Sequence, residues 1–137
     1  MKVKILPSKT SGEVSAPPSK SFAHRYLIGS VLSRGKCVIK NIADSDDISA
    51  TLSCIEQLGG SVTKDGNIVT VIPTAKSQIE NAVFDCKESG STLRFFIPVV
   101  LATGAKNCTF LGSERLLARG INEYEKLFEN SDVKIKS

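Results

Sequence analysis

The sequence has no tryptophan, 6% aromatic residues, one histidine, one methionine and no long uninterrupted apolar run. Few flat rings leave few platforms for stacking bases. The lysines and arginines are scattered instead of blocked, so a net charge of +4 does not describe a nucleic-acid binder. The four cysteines, Cys37, Cys54, Cys86 and Cys108, contain no C-x-x-C pair, and His24 lies near none of them in sequence. That spacing argues against a metal site and against a disulfide framework, and suits reduced, mostly buried thiols. The segment Met1-Lys2-Val3-Lys4-Ile5-Leu6-Pro7 lacks the apolar stretch of a secretory signal, and nothing reaches membrane-spanning length. The expectation is a cytoplasmic protein with no metal or cofactor, no nucleic-acid partner and no membrane contact.

What is present is ordinary globular material: 137 residues, 41% hydrophobic and 23% charged, enough for one domain with a core. Mild basicity suits a small anionic ligand. Val3–Leu6 reads as a short strand, and Glu13–Ser15 extends again after a turn. Pro17-Pro18 then leads into a helix over Ser21–Ser33, with Ser19 or Ser21 as its cap and Gly35 as its stop. Cys37–Ile42 is a strand. Asp44-Ser45-Asp46-Asp47 opens a second helix with Ile48, Leu52, Ile55 and Leu58 on its apolar face, ended by Gly59-Gly60. Ser61–Thr63 and Asn67–Ile72 flank Asp65-Gly66, a hairpin signal, and Pro73–Asn81 is a loop. The pattern then restarts: strand Ala82–Cys86, a helix from Ser89-Gly90-Ser91 to Thr103, strand Asn107–Leu111, a turn or cap at Ser113, a helix over Ile121–Glu129 and a last strand Asp132–Lys136.

This restart is a repeat. Arg25, Tyr26, Leu27, Ile28, Val31, Leu32 and Gly35 lie sixty-nine residues before Arg94, Phe95, Phe96, Ile97, Val100, Leu101 and Gly104. The second copy of the helix is apolar nearly all round, which predicts a helix buried on several sides, bent at Pro98. Helices in the centre with sheet outside is the arrangement this implies.

Three stretches carry candidate chemistry. Lys20, Ser21 and Arg25 open the first helix, where the positive end of the helix dipole disfavours cations. They are either a solvated helix start or an anion site, gripped by the Arg25 fork, the Lys20 point charge, the Ser21 hydroxyl and free amides. Lys87-Glu88-Ser89-Gly90-Ser91-Thr92-Leu93-Arg94 is either a capped helix using Gly90 in its first turn or, at the repeat-equivalent place, a second anion contact. Arg115 and Arg119, four apart, either reach a ligand or form a solvated face with Glu114. Asp44, Asp46 and Asp47 sit where caps belong. A Ser21–His24 nucleophile pair lacks a placed third partner. The residues alone therefore describe a binder of small molecules with two anionic groups, and no catalytic base.

Taken together, Pro17-Pro18-Ser19-Lys20-Ser21-x3-Arg25, Asn41-Ile42-x2-Ser45-Asp46-Asp47, Leu58-Gly59-Gly60 and Ser89-Gly90-Ser91-Thr92-Leu93-Arg94 resemble the 5-enolpyruvylshikimate-3-phosphate synthase (3-phosphoshikimate 1-carboxyvinyltransferase) family. The related UDP-N-acetylglucosamine enolpyruvyl transferases are the alternative, and a non-catalytic anion-binding module is another. The resemblance implies an α/β fold of repeated βαβαββ units, helices buried and sheets outside. It implies an incomplete domain, an N-terminal portion holding less than two of six units. Residues 1–14 would belong to the other domain of the family, and 15–137 would form a partial first domain of two repeats, 15–81 and 82–137. The implied reaction moves the enolpyruvyl group of phosphoenolpyruvate to the 5-hydroxyl of shikimate 3-phosphate and releases phosphate. By position, Lys20, Ser21 and Arg25 would bind shikimate 3-phosphate, and Lys20, Gly90, Ser91 and Arg119 phosphoenolpyruvate. The general acid and base would lie downstream, so this chain alone is expected to be inactive. Missing partner surface would leave edges open to self-association. Three positions depart from the family pattern: Lys87 for a small residue, Glu88 for Asn, and Gly120 for a proline.

Overall fold

The computed structural model describes residues 2–73 and 79–136. Helix α1 spans Lys20–Val31 and follows Pro17-Pro18. Its cap is Ser19, whose Oγ accepts from the Phe22 amide at 3.4 Å. Strand β1 is Cys37–Ile39, helix α2 is Asp46–Gln57, and strands β2 and β3 are Ser61–Asp65 and Ile68–Ile72. Strand β4 (Val83–Asp85), helix α3 (Gly90–Ala102) and strand β5 (Thr109–Leu111) come next, then short helices α4 (Glu114–Leu117) and α5 (Asn122–Phe128).

Local chemistry sets most of these boundaries. Ser45, Ser89 and Ser113 cap α2, α3 and α4 as Ser19 caps α1, each hydroxyl accepting from the amide three residues on. Asp46 and Asp47 place negative charge on the first turn of α2, which complements its dipole. Helices α2 and α3 end alike. Gly59 and Gly104 take positive φ, and Gly60 and Ala105 send their amides back to the Ile55 and Val100 carbonyls at 3.0 and 3.3 Å. This closes the last turn and satisfies carbonyls the helix leaves free.

The strands form two sheets. One has the order β1-β3-β2, antiparallel throughout, with Asp65 opposite Ile68, so the hairpin loop is Gly66-Asn67 and Gly66 supplies its positive φ. The other pairs β4 with β5 in parallel, α3 being the crossover. Helices α1, α2 and α3 pack on one another, α1 and α2 lie against the three-stranded sheet, and α2 also meets β4. Helix α2 therefore bridges the two sheets. One core results, drawing Leu27 and Ile28 from α1, Ile48 and Ile55 from α2, Val69 and Val71 from β3, and Phe96 and Val100 from α3. Phe84 anchors its far end, 5.9 Å from Phe96 and 5.1 Å from Phe110 between ring centres. The inward face of α3 is wide, with Thr92, Leu93, Phe96, Ile97, Val99 and Val100 all buried, while Pro98 faces out.

Several expected strands are not formed. Val3–Leu6, Glu13–Ser15 and Asp132–Lys136 make no ladder; Ile5 is 87% and Val14 96% exposed. An extended run becomes a strand only when another strand takes up its amides and carbonyls. Strand β1 stops at Ile39 instead of Ile42 because Asn41 takes a positive φ. Ser113 is followed by the single helical turn of α4. Of the loop expected over Pro73–Asn81, positions 74–78 lie outside the described residues.

Candidate functional site

The N-terminal turns of α1, α2 and α3 meet through polar contacts. Lys20, the first residue of α1, places Nζ 2.8 Å from Asp47 Oδ2 on the first turn of α2. The Asp47 carbonyl oxygen lies 3.1 Å from Thr51 Oγ1 and 3.4 Å from Thr92 Oγ1, on the first turn of α3. Thr92 Oγ1 lies 2.7 Å from Thr51 Oγ1 and 2.7 Å from Oγ of the cap Ser89. His24 Nδ1 closes the row, 2.8 Å from Thr51 Oγ1. His24, Thr51, Ser89 and Thr92 are each 2% exposed or less, so this is a buried polar seam between three helices. Burial holds the His24 imidazole below its ordinary pKa; Asp47 works against that shift, and Lys20 and Arg25 reinforce it.

Neither α1 nor α3 carries an acid in its first turn, so each presents free amides at the positive end of its dipole. Around α3 two guanidiniums gather. A Cβ on Gly90 would stand 3.2 Å from Arg94 Nη1 and 3.5 Å from Arg119 Nη1. Arg94 is anchored, its Nη2 donating to the Gly120 carbonyl at 3.2 Å. Gly90, Arg94 and Arg119 thus form a compact cationic cluster beside bare amides, an arrangement able to grip a phosphate or carboxylate. Ser91 is exposed in the same turn.

The α1 trio is arranged less tightly. Lys20, Ser21 and Arg25 are all exposed. Arg25 folds back along its helix, Nη1 donating to the Ser21 carbonyl at 2.9 Å, and its guanidinium stands 5.2 Å above the Phe95 ring of α3. Among the described residues, neither of two hollows gathers the three. A hollow of about 300 Å³ by Ser19 and Phe22 is lined by none of them, and a groove of about 420 Å³ between α1 and α3 has Arg25 alone at its rim. Lys20 faces α2 and Arg25 faces α3. The three are brought to one end of the molecule, not into one enclosed cup.

The three positions expected to depart from the resembled pattern each have a definite local setting. Gly120 takes φ 63°, which proline cannot adopt, and its carbonyl is the anchor of Arg94. Glu88 is exposed and makes no ion pair among the described residues. Lys87 takes φ 51°, with its amide bonded to Asp85 Oδ1 at 2.9 Å and its carbonyl to the Ser113 amide at 2.7 Å. Arg115 is exposed on α4. Arg94 lies outside the candidate ligand residues that the sequence motifs suggest, although its repeat-equivalence to Arg25 is a usable signal. The seam of His24, Thr51 and Thr92 left no such signal, because its contacts span 27 and 41 residues.

Among the described residues no group of three metal-ligating side chains occurs, and no helix is long and apolar enough to cross a membrane. Comparison with known proteins converges on one family. The family model for EPSP synthase (3-phosphoshikimate 1-carboxyvinyltransferase) matches residues 6–137. A relative from Clostridium novyi (strain NT), named 3-phosphoshikimate 1-carboxyvinyltransferase, is 40% identical over 144 residues, which cover 98% of this chain and 33% of the relative. Proteins of the same name from Clostridium botulinum (strain Eklund 17B / Type B) and Clostridioides difficile (strain 630) are 42% and 41% identical, covering 96% of this chain and 31% and 32% of their own lengths. The chain spans about a third of the length of the curated relatives it matches. With serine-capped helices whose first turns meet, and with a family match over nearly its whole length, the chain belongs to the EPSP synthase family.

Proposed function

We propose that this chain supplies part of the substrate site of a 3-phosphoshikimate 1-carboxyvinyltransferase. In that reaction the enolpyruvyl group of phosphoenolpyruvate passes to the 5-hydroxyl of shikimate 3-phosphate and phosphate leaves. Lys20, Ser21 and Arg25 bind shikimate 3-phosphate. Gly90, Ser91 and Arg119 bind phosphoenolpyruvate, with Arg94 beside them and Lys20 between the two. The observation that carries this reading is the approach of Arg94 and Arg119 to Gly90 at the free amides of α3, tied through Thr92 and Asp47 to Lys20. Two substrates that each carry a carboxylate and a phosphate need such paired clamps, because holding both in line removes much of the entropic barrier to their reaction. The general acid and base lie outside these residues, so the chain alone is inactive.

The finer architecture is part of the same reading. Residues 15–81 and 82–137 are two units of the βαβαββ type with helices inward and sheets outward, residues 1–14 belong with a second domain, and the protein works in the cytoplasm. The apolar groove of Ile28, Leu32, Phe95, Pro98 and Val99 and the unpaired strand edges are surfaces for the rest of the enzyme or for self-association.

The test is titration of shikimate 3-phosphate by calorimetry into wild type, Lys20→Ala and Arg25→Ala. Lys20 is half exposed, so losing its pair with Asp47 changes stability by less than about 1 kcal/mol, and weaker binding reports the site. Affinity unchanged in both variants would overturn the assignment. Mixing the chain with the remaining two-thirds of a relative and assaying phosphate release tests the division of labour: turnover should need both, and turnover by this chain alone would refute it.

A further inference from the structure

His24 is the chain's one histidine. Its Nδ1 meets Thr51 Oγ1, while Nε2 is buried with no hydrogen-bond partner. A proton count along the seam selects a tautomer. With the proton on Nδ1, His24 donates to Thr51, Thr51 donates to Thr92 Oγ1, and Thr92 donates to Ser89 Oγ. Every one of those donors is then used, and Nε2 is an idle acceptor. With the proton on Nε2, a buried N–H is orphaned, which is the rarer and more costly vacancy.

We propose that His24 is a positioning residue: held as the neutral Nδ1–H tautomer, it locks the first turns of α1, α2 and α3 in one register, and proton uptake at its buried Nε2 loosens them. The consequence for ligands rests on the substrate site proposed above. The lock runs from Thr51 to Thr92 beside the carbonyl of Asp47, whose carboxylate holds Lys20, and ends on Ser89, which caps the turn carrying Gly90.

A proton on Nε2 would be a buried charge without a partner. The charged groups acting on the ring are Asp47 on α2, which favours that charge, and Lys20 and Arg25 on α1, which oppose it; α3 reaches the seam only with hydroxyls. Burial outweighs Asp47, so the folded protein takes up this proton below the ordinary value of 6.5, and the unfolded chain takes it up at that value. The stability the lock contributes is therefore at full strength above pH 6.5 and declines as pH falls from there to the folded-state value, where the folded ring itself takes up the proton and the register loosens.

The test uses three measurements on the protein, its His24→Asn variant and its Thr51→Val variant. Asparagine places an amide N–H where Nδ1–H stands and does not titrate. Nitrogen-15 NMR of the single imidazole should show Nδ1–H with bare Nε2, titrating below 6.5, and Thr51→Val should abolish the tautomer preference. An Nε2–H ring in wild type, or titration at or above 6.5, overturns the proposal. Urea unfolding should show wild type losing more stability than His24→Asn between about pH 7.5 and about pH 5.5. Across the pH range in which the NMR titration shows the folded imidazole taking up its proton, the shikimate 3-phosphate affinity of wild type relative to His24→Asn should fall as pH falls, by at most about tenfold per pH unit, the limit for one proton. A ratio independent of pH refutes positioning. If wild type binds no shikimate 3-phosphate while the NMR and unfolding results hold, the substrate reading fails and the lock stands. If His24→Asn does not fold, the wild-type titration and Thr51→Val still decide.

Discussion

Replacing Gly90 by alanine separates folding from binding at the second clamp. Gly90 has no positive φ, so alanine meets no backbone strain, and at a helical position it should stabilise by up to about 1 kcal/mol through propensity and a less disordered unfolded chain. The added methyl stands 3.2 Å from Arg94 Nη1 and 3.8 Å from Leu116 Cδ1. The guanidinium must therefore give by a few tenths of an ångström. It is not free to do so, because Nη2 is bonded to the Gly120 carbonyl, and a charged bond of this kind is worth about 1.5–3 kcal/mol. Partial loss of that bond offsets the helical gain, leaving stability within about 1 kcal/mol of wild type. Binding has no offset. The methyl takes up space beside the Arg94 and Arg119 guanidiniums, where the anion of the proposed site would be gripped. Phosphoenolpyruvate affinity should drop by about tenfold or more, roughly 1.4 kcal/mol. Urea denaturation and calorimetric titration of the same preparations measure the two quantities. Undiminished phosphoenolpyruvate affinity in Gly90→Ala would show that no ligand enters this cradle.

Phe84→Ala removes the fully buried ring between Phe96 and Phe110 and should destabilise by about 3–5 kcal/mol, read as a lower urea midpoint at an unchanged slope. Lys87→Gly should stabilise by up to about 1 kcal/mol, because it relieves a left-handed backbone while the Asp85 and Ser113 contacts, both through the main chain, remain. A thiol reagent at neutral pH should spare Cys54 and Cys86 in native protein and modify both in urea. Both are fully buried, and the hydrogen bond with Cys86, then burial, push the Cys54 thiol well above its ordinary value. Rapid native labelling of either would show that α2 and β4 open on their own.

The helix ends were legible in the sequence because a cap is a conversation between neighbours. Ser45 and Ser89 bond the amide three residues on, and Gly59 and Gly104 turn the chain within the same few bonds. The hairpin around Gly66 was legible for the same reason, although register moved its loop one residue on. Val3–Leu6 and Asp132–Lys136 were misread as strands because a strand is a relation between two segments and their sequence names only one. Asp47 was half read. Its place as a first-turn acid follows from Ser45, but its carboxylate serves Lys20 from 27 residues away and its carbonyl serves Thr92 from 45.

The sequence by itself determined which residue types stand where helices begin: the serine caps, the glycine at the start of α3, and the basic residues with no acids beside them in α1 and α3. Only the tertiary structure decided that these beginnings meet, that Arg94 and Arg119 close on Gly90, and that Arg25 leans on Phe95 instead of sharing a cup with Lys20. The physical reason is range. Capping and dipole effects act within one helical turn, whereas the seam from His24 to Ser89 exists only once core packing of α1, α2 and α3 has excluded water and left those polar groups to satisfy one another.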